Sequence, residues 1–274
     1  MTTDITPAAD GDCIVLDWGT TNLRAYRVTA DGAVRSTRHS DAGVRGLTTG
    51  QFEAVFRRAC GDWIEERPHL PVLATGMIGS RNGWLEAPYV ACPARLLDVT
   101  RGLVPLRLDD GHRLWFVPGL IDNQARPFPE VMRGEESLLF GFGCERTMCV
   151  VLPGTHSKWA RVGDGAVHRF ATYLTGELYD LLIRHSFVTG MLNSADERAA
   201  RSADGPDWAA FDLGLSAATG PGNEARSGAA LLGRLFSVRS GFLAGHIEAG
   251  AADDYLSALL IGTELAEARG SWFQ

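Results

Sequence analysis

The sequence predicts an α/β protein built from two related lobes, and three observations carry that prediction. Short apolar runs end repeatedly in polar, glycine-containing turns, as buried strands do. Apolar residues at helical spacing follow them. The whole pattern then starts again midway along the chain. With 274 residues there is enough chain for one large domain or for two lobes with cores of their own.

Taken in order, Ile14–Leu16 reads as a short apolar strand, and Leu23–Val28 as a second one after a tight turn. Asp31-Gly32 is a hairpin signal, and Ala33–Arg38 supplies a third strand. Phe52, Val55, Phe56, Ala59, Trp63 and Ile64 recur at helical spacing, so Gly50–Glu66 is expected to be an amphipathic helix. Its Phe52, Phe56 and Trp63 form a core stripe and not a cofactor box. "PVLATGMIG" is a buried strand running into a glycine-rich loop, and Asn82–Asp122 reads as irregular strands and loops. A helix begins over Glu135–Phe142. With one residue deleted, Gly19-Thr20-Thr21-Asn22 then lies over Gly154-Thr155-His156-Ser157, and Ala25 over Ala160. "DGAV" occurs at Asp31–Val34 and again at Asp164–Val167, and a helix follows at Gly176–His185. The lobes are drawn over residues 11–134 and 135–274.

Bulk properties narrow the function. The formal net charge is −7 and no basic tract is present, which argues against a nucleic-acid surface. No apolar run approaches ~18 residues, so no membrane span is expected. The polar, acidic start is unlike a signal peptide. Five cysteines, an odd number without a CxxC pair, fit free thiols in a reducing cytoplasm better than a disulfide framework or a zinc site. The oligomeric state is left open, with a homodimer among the candidates.

The two matched turns carry the chemistry. Glycine lets backbone N–H groups approach a phosphate, and Thr or Ser adds short hydroxyl donors. A carboxylate such as Asp17 at the end of a strand repels phosphate directly. It makes sense as a residue that orients Mg²⁺, through water, with the cation bridging phosphate oxygens. Either turn alone reads first as a polar hairpin; the matched pair reverses that preference in favour of phosphate. Neither a Walker A sequence nor a GxGxxG after a strand is present.

The Asp-x-Gly-Thr-Thr-Asn turn and its partial repeat resemble the phosphate motifs of the actin-like ATPase superfamily, whose fold is two-lobed and ribonuclease H-like. More narrowly, "DWGTTNLRAY", "GMIGSRNGWLEAPYVACPA", "VMRGEES", "LPGTHSKW" and "TYLTGELY" together resemble the 2-dehydro-3-deoxygalactonokinase family of sugar-acid kinases. That resemblance implies ATP-dependent phosphorylation of the 6-hydroxyl of 2-dehydro-3-deoxy-D-galactonate in galactonate breakdown. It implies binding of ATP phosphates and Mg²⁺ by Asp17, Gly19, Thr20, Thr21, Gly154 and Thr155, with Asn22 in the same turn, and it sets the substrate against Gly76–Tyr89.

A base must accept the hydroxyl proton in phosphoryl transfer. In the actin-like layout "RGEES" would lie beside the γ-phosphate, which makes Glu135 the first candidate, Glu136 the second and Asp122 their rival; acids in a first helical turn are also favoured by the macrodipole alone. The carboxylate of a 2-keto acid calls for the planar fork of an arginine. Arg81 is the first candidate, followed by Arg24 and Arg133, each of which reads first as a salt-bridge residue. Ser80, Trp84, Glu86 and Tyr89 are candidates to bind hydroxyls or wall the sugar, with Trp84 and Tyr89 alternatively in the core. Lys158 is a phosphate partner or a solvated strand-end residue. His156 is read as a donor to phosphate or substrate and not as a metal ligand. Thr175 fits a helix N-cap or a cleft residue, and Glu264 and Glu267 with Arg269 read as a solvated helix face.

The pattern departs from the superfamily in two places. Pro153 stands where the second turn usually begins with Asp, so metal orientation rests on Asp17. "DDYLSALLIGTELAEARG" reads as an amphipathic helix that should lead to a further strand and a glycine-rich turn near adenosine, yet the sequence ends at "SWFQ". Gly220–Gly233 is the remaining candidate for nucleotide contact. Two alternatives accompany the kinase reading: a phosphohydrolase of the exopolyphosphatase type that uses Glu135 to activate water, and a sugar-acid-binding remnant without turnover.

Overall fold

The first apolar run is β1 (Cys13–Trp18), which pairs antiparallel with β2 (Leu23–Val28), itself paired with β3 (Val34–Ser40). These come from a computed structural model that describes residues 11–189, 205–219 and 231–272. The chain divides into two compact units, residues 1–150 with 160–171, and residues 151–159 with 172–274.

In the first unit β1 also pairs in parallel with β4 (Val72–Thr75), and β4 in parallel with β8 (Arg113–Phe116). With β7 (Val104–Arg107) at the edge, the six-stranded sheet runs β3-β2-β1-β4-β8-β7. Helix α1 (Phe52–Glu66) buries Phe52, Val55, Phe56, Cys60, Trp63 and Ile64 in the same core cluster as Ile14, Leu16, Trp18 and Leu23, as its periodicity predicts. The parallel register sets Asp17 opposite Thr75, so the carboxyl ends of β1 and β4 finish side by side. Ligands of open α/β sheets bind at such strand ends.

The stretch from Asn82 to Asp122 is more regular than expected. It contains β5 (Val90–Ala91), β6 (Ala94–Arg95), helix α2 (Leu96–Arg101), β7, β8 and β9 (Leu120–Asp122). The short α2 is nucleated by Asp98, whose carboxylate accepts the Arg95 N–H at 2.9 Å. β9 pairs with β10 (Glu130–Met132) and with β5 in a second sheet. Helix α3 (Glu135–Phe142) clusters with this first unit, whereas the sequence reading drew the line between lobes just before it. Side-chain bonds from Glu136 and Ser137 to Thr75 of β4 tie it there.

The repeated unit consists of β11 (Met148–Leu152), β12 (Ser157–Gly163) and β13 (Ala166–Tyr173). The two "DGAV" segments turn differently. Asp164 and Gly165 both have positive φ, 50° and 74°, as a two-residue hairpin turn requires. In the first copy only Gly32 does, at 87°, in a longer loop closed by Thr29 N–H to Ala33 O at 2.9 Å.

The second unit is helical: α4 (Thr175–His185), α5 (Trp208–Thr219), α6 (Leu231–Leu235), α7 (Ser237–Leu243) and α8 (Ala252–Trp272). α5 and α8 approach closely because Gly214 and Gly262 lack side chains. A Cβ on Gly214 would lie 2.2 Å from Tyr255 O, and one on Gly262 would lie 2.6 Å from Ala218 Cβ. α8 buries residues on several faces, Tyr255, Leu256, Leu259, Leu260 and Glu264 among them, and is not the one-sided amphipathic helix that was expected. Residues 220–230 of the Gly220–Gly233 candidate, and the last two of "SWFQ", lie outside the described residues. Among the described residues no helix is long and apolar enough to cross a membrane. All five cysteines are free thiols, and burial pushes Cys60 and Cys92 up to about 12.

Candidate active site

Within the first unit the hydroxyl turn is held from behind. Gly19, Thr20 and Thr21 each turn a carbonyl to the N–H of Val44, Arg45 and Gly43, at 3.0, 3.0 and 3.1 Å. A side chain on Gly43 would collide with this turn, its Cβ 2.2 Å from the Thr21 carbonyl carbon. Gly19 N–H closes the turn on Asn22 O at 2.9 Å, and the Asn22 amide donates to Thr21 Oγ1 at 3.0 Å. Asp17 enters from the end of β1, half exposed, with Arg24 Nη1 3.2 Å from its Oδ2. The pairing makes Arg24 a neighbour of Asp17, the salt-bridge alternative of its sequence reading.

Beside Asp17, Thr75 leads to the two glutamates. Its hydroxyl lies 3.2 Å from Glu136 Oε1 and 2.8 Å from Ser137 Oγ, while Glu136 Oε2 accepts the Gly134 N–H at 2.6 Å. Glu136 is completely buried, and burial is the main cause that lifts its carboxyl to about 7; the hydrogen bonds to it act in the opposite direction and the neighbouring Glu135 charge adds to the rise. Glu135 is half-buried and accepts the Arg133 N–H at 3.1 Å. The helix start needs Gly134, at φ 109°, and it packs on Gly76, at φ 90°, so closely that a Cβ on Gly134 would lie 3.2 Å from Gly76 Cα. Asp122 is buried, and its Oδ1 accepts the Gln124 N–H at 2.9 Å, closing a local turn.

The "GMIGSRNGW" block acquires a physical reason here. Gly79 leaves room for Arg133, whose Nη1 would lie 3.1 Å from a Cβ at that position, and Gly83 folds back until a Cβ would lie 2.1 Å from Ile78 O. Trp84 belongs to the core: its ring packs with Trp18, Phe52, Phe56 and Phe116 at centroid distances of 6.0–6.4 Å. This is the core alternative of its sequence reading, and its apolar area explains why. Arg81 and Glu86 are exposed. Arg133 instead lies against the Tyr89 ring at 4.4 Å and donates through Nη2 to Ala87 O at 2.7 Å. Its Nε and Nη1, together with Ser80 Oγ, are buried with no hydrogen-bond partner among the described residues. Unsatisfied donors of this kind are costly unless a ligand or water completes them.

Within the second unit, the turn Gly154–Ser157 is braced by α4. Glu177 N–H donates to Thr155 O at 2.9 Å, and only a glycine fits at 176, where a Cβ would lie 2.4 Å from Gly154 O. His156 Nε2 lies 2.5 Å from Glu177 Oε2. Lys158 is not solvated: it is buried, with Nζ 2.9 Å from Thr172 Oγ1. Two expectations are overturned by one residue, Glu264. The carboxylate is buried, not solvated, and accepts Ser157 Oγ at 2.7 Å, Trp159 Nε1 at 2.6 Å and the Thr175 hydroxyl. Thr175 thus spends its hydroxyl on Glu264, and α4 has no side-chain N-cap bond. Glu267 and Arg269 do face solvent.

Sequence reasoning missed Thr75 and Glu264. Thr75 ends its apolar run as Asp17 ends its own, and that parallel was a usable signal. Glu264 stands as a lone acid between apolar neighbours in "LLIGTELA", which was another.

No group of three or more His, Cys, Asp or Glu that could hold a metal is found among the described residues. Mg²⁺ is commonly held by one or two carboxylates together with substrate phosphates and retained waters. A hard, half-exposed carboxylate at Asp17, beside a glycine-hydroxyl turn, fits that role.

Comparisons with known proteins extend these observations. The family model described as 2-keto-3-deoxy-galactonokinase matches residues 17–274. The 2-dehydro-3-deoxygalactonokinase of Escherichia coli (strain K12) is 36% identical over 265 residues, spanning 93% of this chain and 80% of that protein. A Rhizobium meliloti (strain 1021) protein assigned the same activity is 36% identical over 257 residues, 92% of this chain and 79% of its own. The crystal structure of a Sinorhizobium meliloti protein, likewise assigned as a 2-dehydro-3-deoxygalactonokinase, superposes with a TM-score of 0.77 at 32% identity, covering 94% of this chain and 82% of that one. The match begins at Asp17, the carboxylate that ends β1, and takes in both hydroxyl turns: the chain belongs to the 2-keto-3-deoxy-galactonokinase family.

Proposed function

We propose that the chain is an ATP- and Mg²⁺-dependent kinase that phosphorylates the 6-hydroxyl of 2-dehydro-3-deoxy-D-galactonate. The observation that carries the substrate side is a set of buried donors without a partner among the described residues: Ser80 Oγ, within the Gly76–Tyr89 segment that the family resemblance assigns to the sugar acid, and two nitrogens of Arg133, which packs against Ala87 and Tyr89 of that segment. A guanidinium with Nε and Nη1 both unspent has two charged donors left for the anionic oxygens of a ligand. Tyr89 and the Ala87 carbonyl hold the guanidinium in place, so these donors are pre-oriented. Arg133 thereby takes precedence over Arg81 and Arg24 as the carboxylate residue.

Phosphates are taken by Gly19, Thr20 and Thr21 in the first turn and by Gly154 and Thr155 in the second. Asp17 would hold Mg²⁺, which when bound would supply charge neutralisation to the phosphate oxygens. Arg24 balances the Asp17 carboxylate at 3.2 Å. Glu135, the less buried of the two glutamates, accepts the hydroxyl proton. Glu136 is enclosed, with its oxygens committed to Gly134 and Thr75, and holds the Gly134 turn beneath it. Free thiols are stable in a reducing compartment, and we place the enzyme in the cytoplasm.

The test is ADP release from Mg-ATP with 2-dehydro-3-deoxygalactonate, its gluconate epimer or galactonate. ADP formation that depends on the first compound is expected. ADP or phosphate release without any acceptor would replace the kinase with a phosphohydrolase, and binding of the sugar acid without turnover would leave a binding protein.

A further inference from the structure

We propose that Glu264 is a positioning residue for nucleotide binding: from α8 it fixes the turn Gly154–Ser157 and the start of α4 in one geometry. The inference rests on the reading of that turn as a phosphate site. Glu264 is only 9% exposed and borders a cavity of about 470 Å³ whose other walls include Val151, Tyr179, Leu260, Ile261 and Leu265. A carboxylate in such apolar surroundings is costly unless every lone pair is used. Here Ser157, Trp159 and Thr175 all donate to it. An apolar residue would line this cavity without that cost.

What the carboxylate adds is direction. Ser157 ends the turn, and Thr175 precedes Gly176, against which Gly154 and Thr155 pack with no room for a side chain. One group therefore clamps both flanks of Gly154–Thr155. Glu177 completes the brace from α4, through its N–H on Thr155 O and its carboxylate on His156. A backbone cradle held in this way before the ligand arrives loses little freedom on binding.

The experiment measures Kd for Mg-ATP and for 2-dehydro-3-deoxygalactonate by titration calorimetry, with melting temperatures, in wild type, E264Q, T175V and S157A. E264Q should weaken Mg-ATP binding roughly tenfold, the worth of one hydrogen bond to a charged group, and leave the sugar-acid Kd unchanged. T175V and S157A should move Mg-ATP affinity in the same direction by less, and they carry the test if E264Q does not fold. Variants that melt earlier yet bind Mg-ATP as wild type does would reduce Glu264 to a structural residue and overturn the inference. A wild type that binds the sugar acid but no Mg-ATP would instead overturn the phosphate reading of the turn, and the inference with it.

Discussion

Replacing Glu136 by Gln should change how the stability of the first unit depends on pH. The carboxyl is fully buried and raised from an ordinary 4.5 to about 7. Between those values the folded protein keeps a proton that the unfolded chain has released. The native state then binds more protons, and stability falls as pH rises through the window, the loss being complete above about pH 7. At ~1.4 kcal/mol per pH unit, the separation corresponds to about 3 kcal/mol. Gln cannot ionise, and its amide suits the same partners: its oxygen can accept the Gly134 N–H, while its NH₂ donates to the Thr75 and Ser137 hydroxyls that bond Glu136. Urea unfolding of both proteins at about pH 5 and about pH 8, followed by tryptophan emission, makes the comparison. Trp18 and Trp84 of that core contribute to the signal. The stability of E136Q relative to wild type should improve by about 3 kcal/mol from the lower to the higher pH. An unchanged difference at the two pH values would refute the argument, because the carboxyl would then titrate alike in both states.

Three further substitutions separate the roles of neighbouring residues. Glu135→Gln should lower kcat by roughly 10²- to 10⁴-fold with a smaller change in the sugar-acid KM, whereas E136Q should stay within about tenfold of wild type; steady-state kinetics that rank the two the other way would make Glu136 the base. Arg133→Lys keeps the charge but loses the fork, and should raise the sugar-acid Kd roughly tenfold while leaving Mg-ATP binding alone, as calorimetry would show. Trp84→Ala should cost about 3–5 kcal/mol of stability in denaturant unfolding, as for a large core side chain, with the sugar-acid KM of the remaining folded protein little changed.

Periodicity made α1 legible, because a helix that buries one face writes that face into the spacing of its apolar residues. The first two strands and the turn between them were legible for a similar reason, as was the repeat. α2 went unread: a six-residue helix spans fewer than two turns, too few to show a repeated spacing, and its signal was a single Asp98 cap. Trp84 was ambiguous because an aromatic ring suits a core and a sugar site equally; its core contacts are visible only in the rings of Trp18, Phe52, Phe56 and Phe116 around it.

By itself, then, the sequence determined the α/β class, the positions of both hydroxyl turns, the acid ending β1 and the family. All of these are local patterns that neighbouring residues write together. Tertiary structure alone decided which polar groups are spent and which are free. Thr75 meets Glu136 across 61 positions of chain, and Ser157 meets Glu264 across 107. Arg133 keeps two nitrogens without a partner among the described residues, while Lys158 is buried against Thr172. Burial and hydrogen-bond satisfaction belong to packing between distant segments, and no local spacing encodes them.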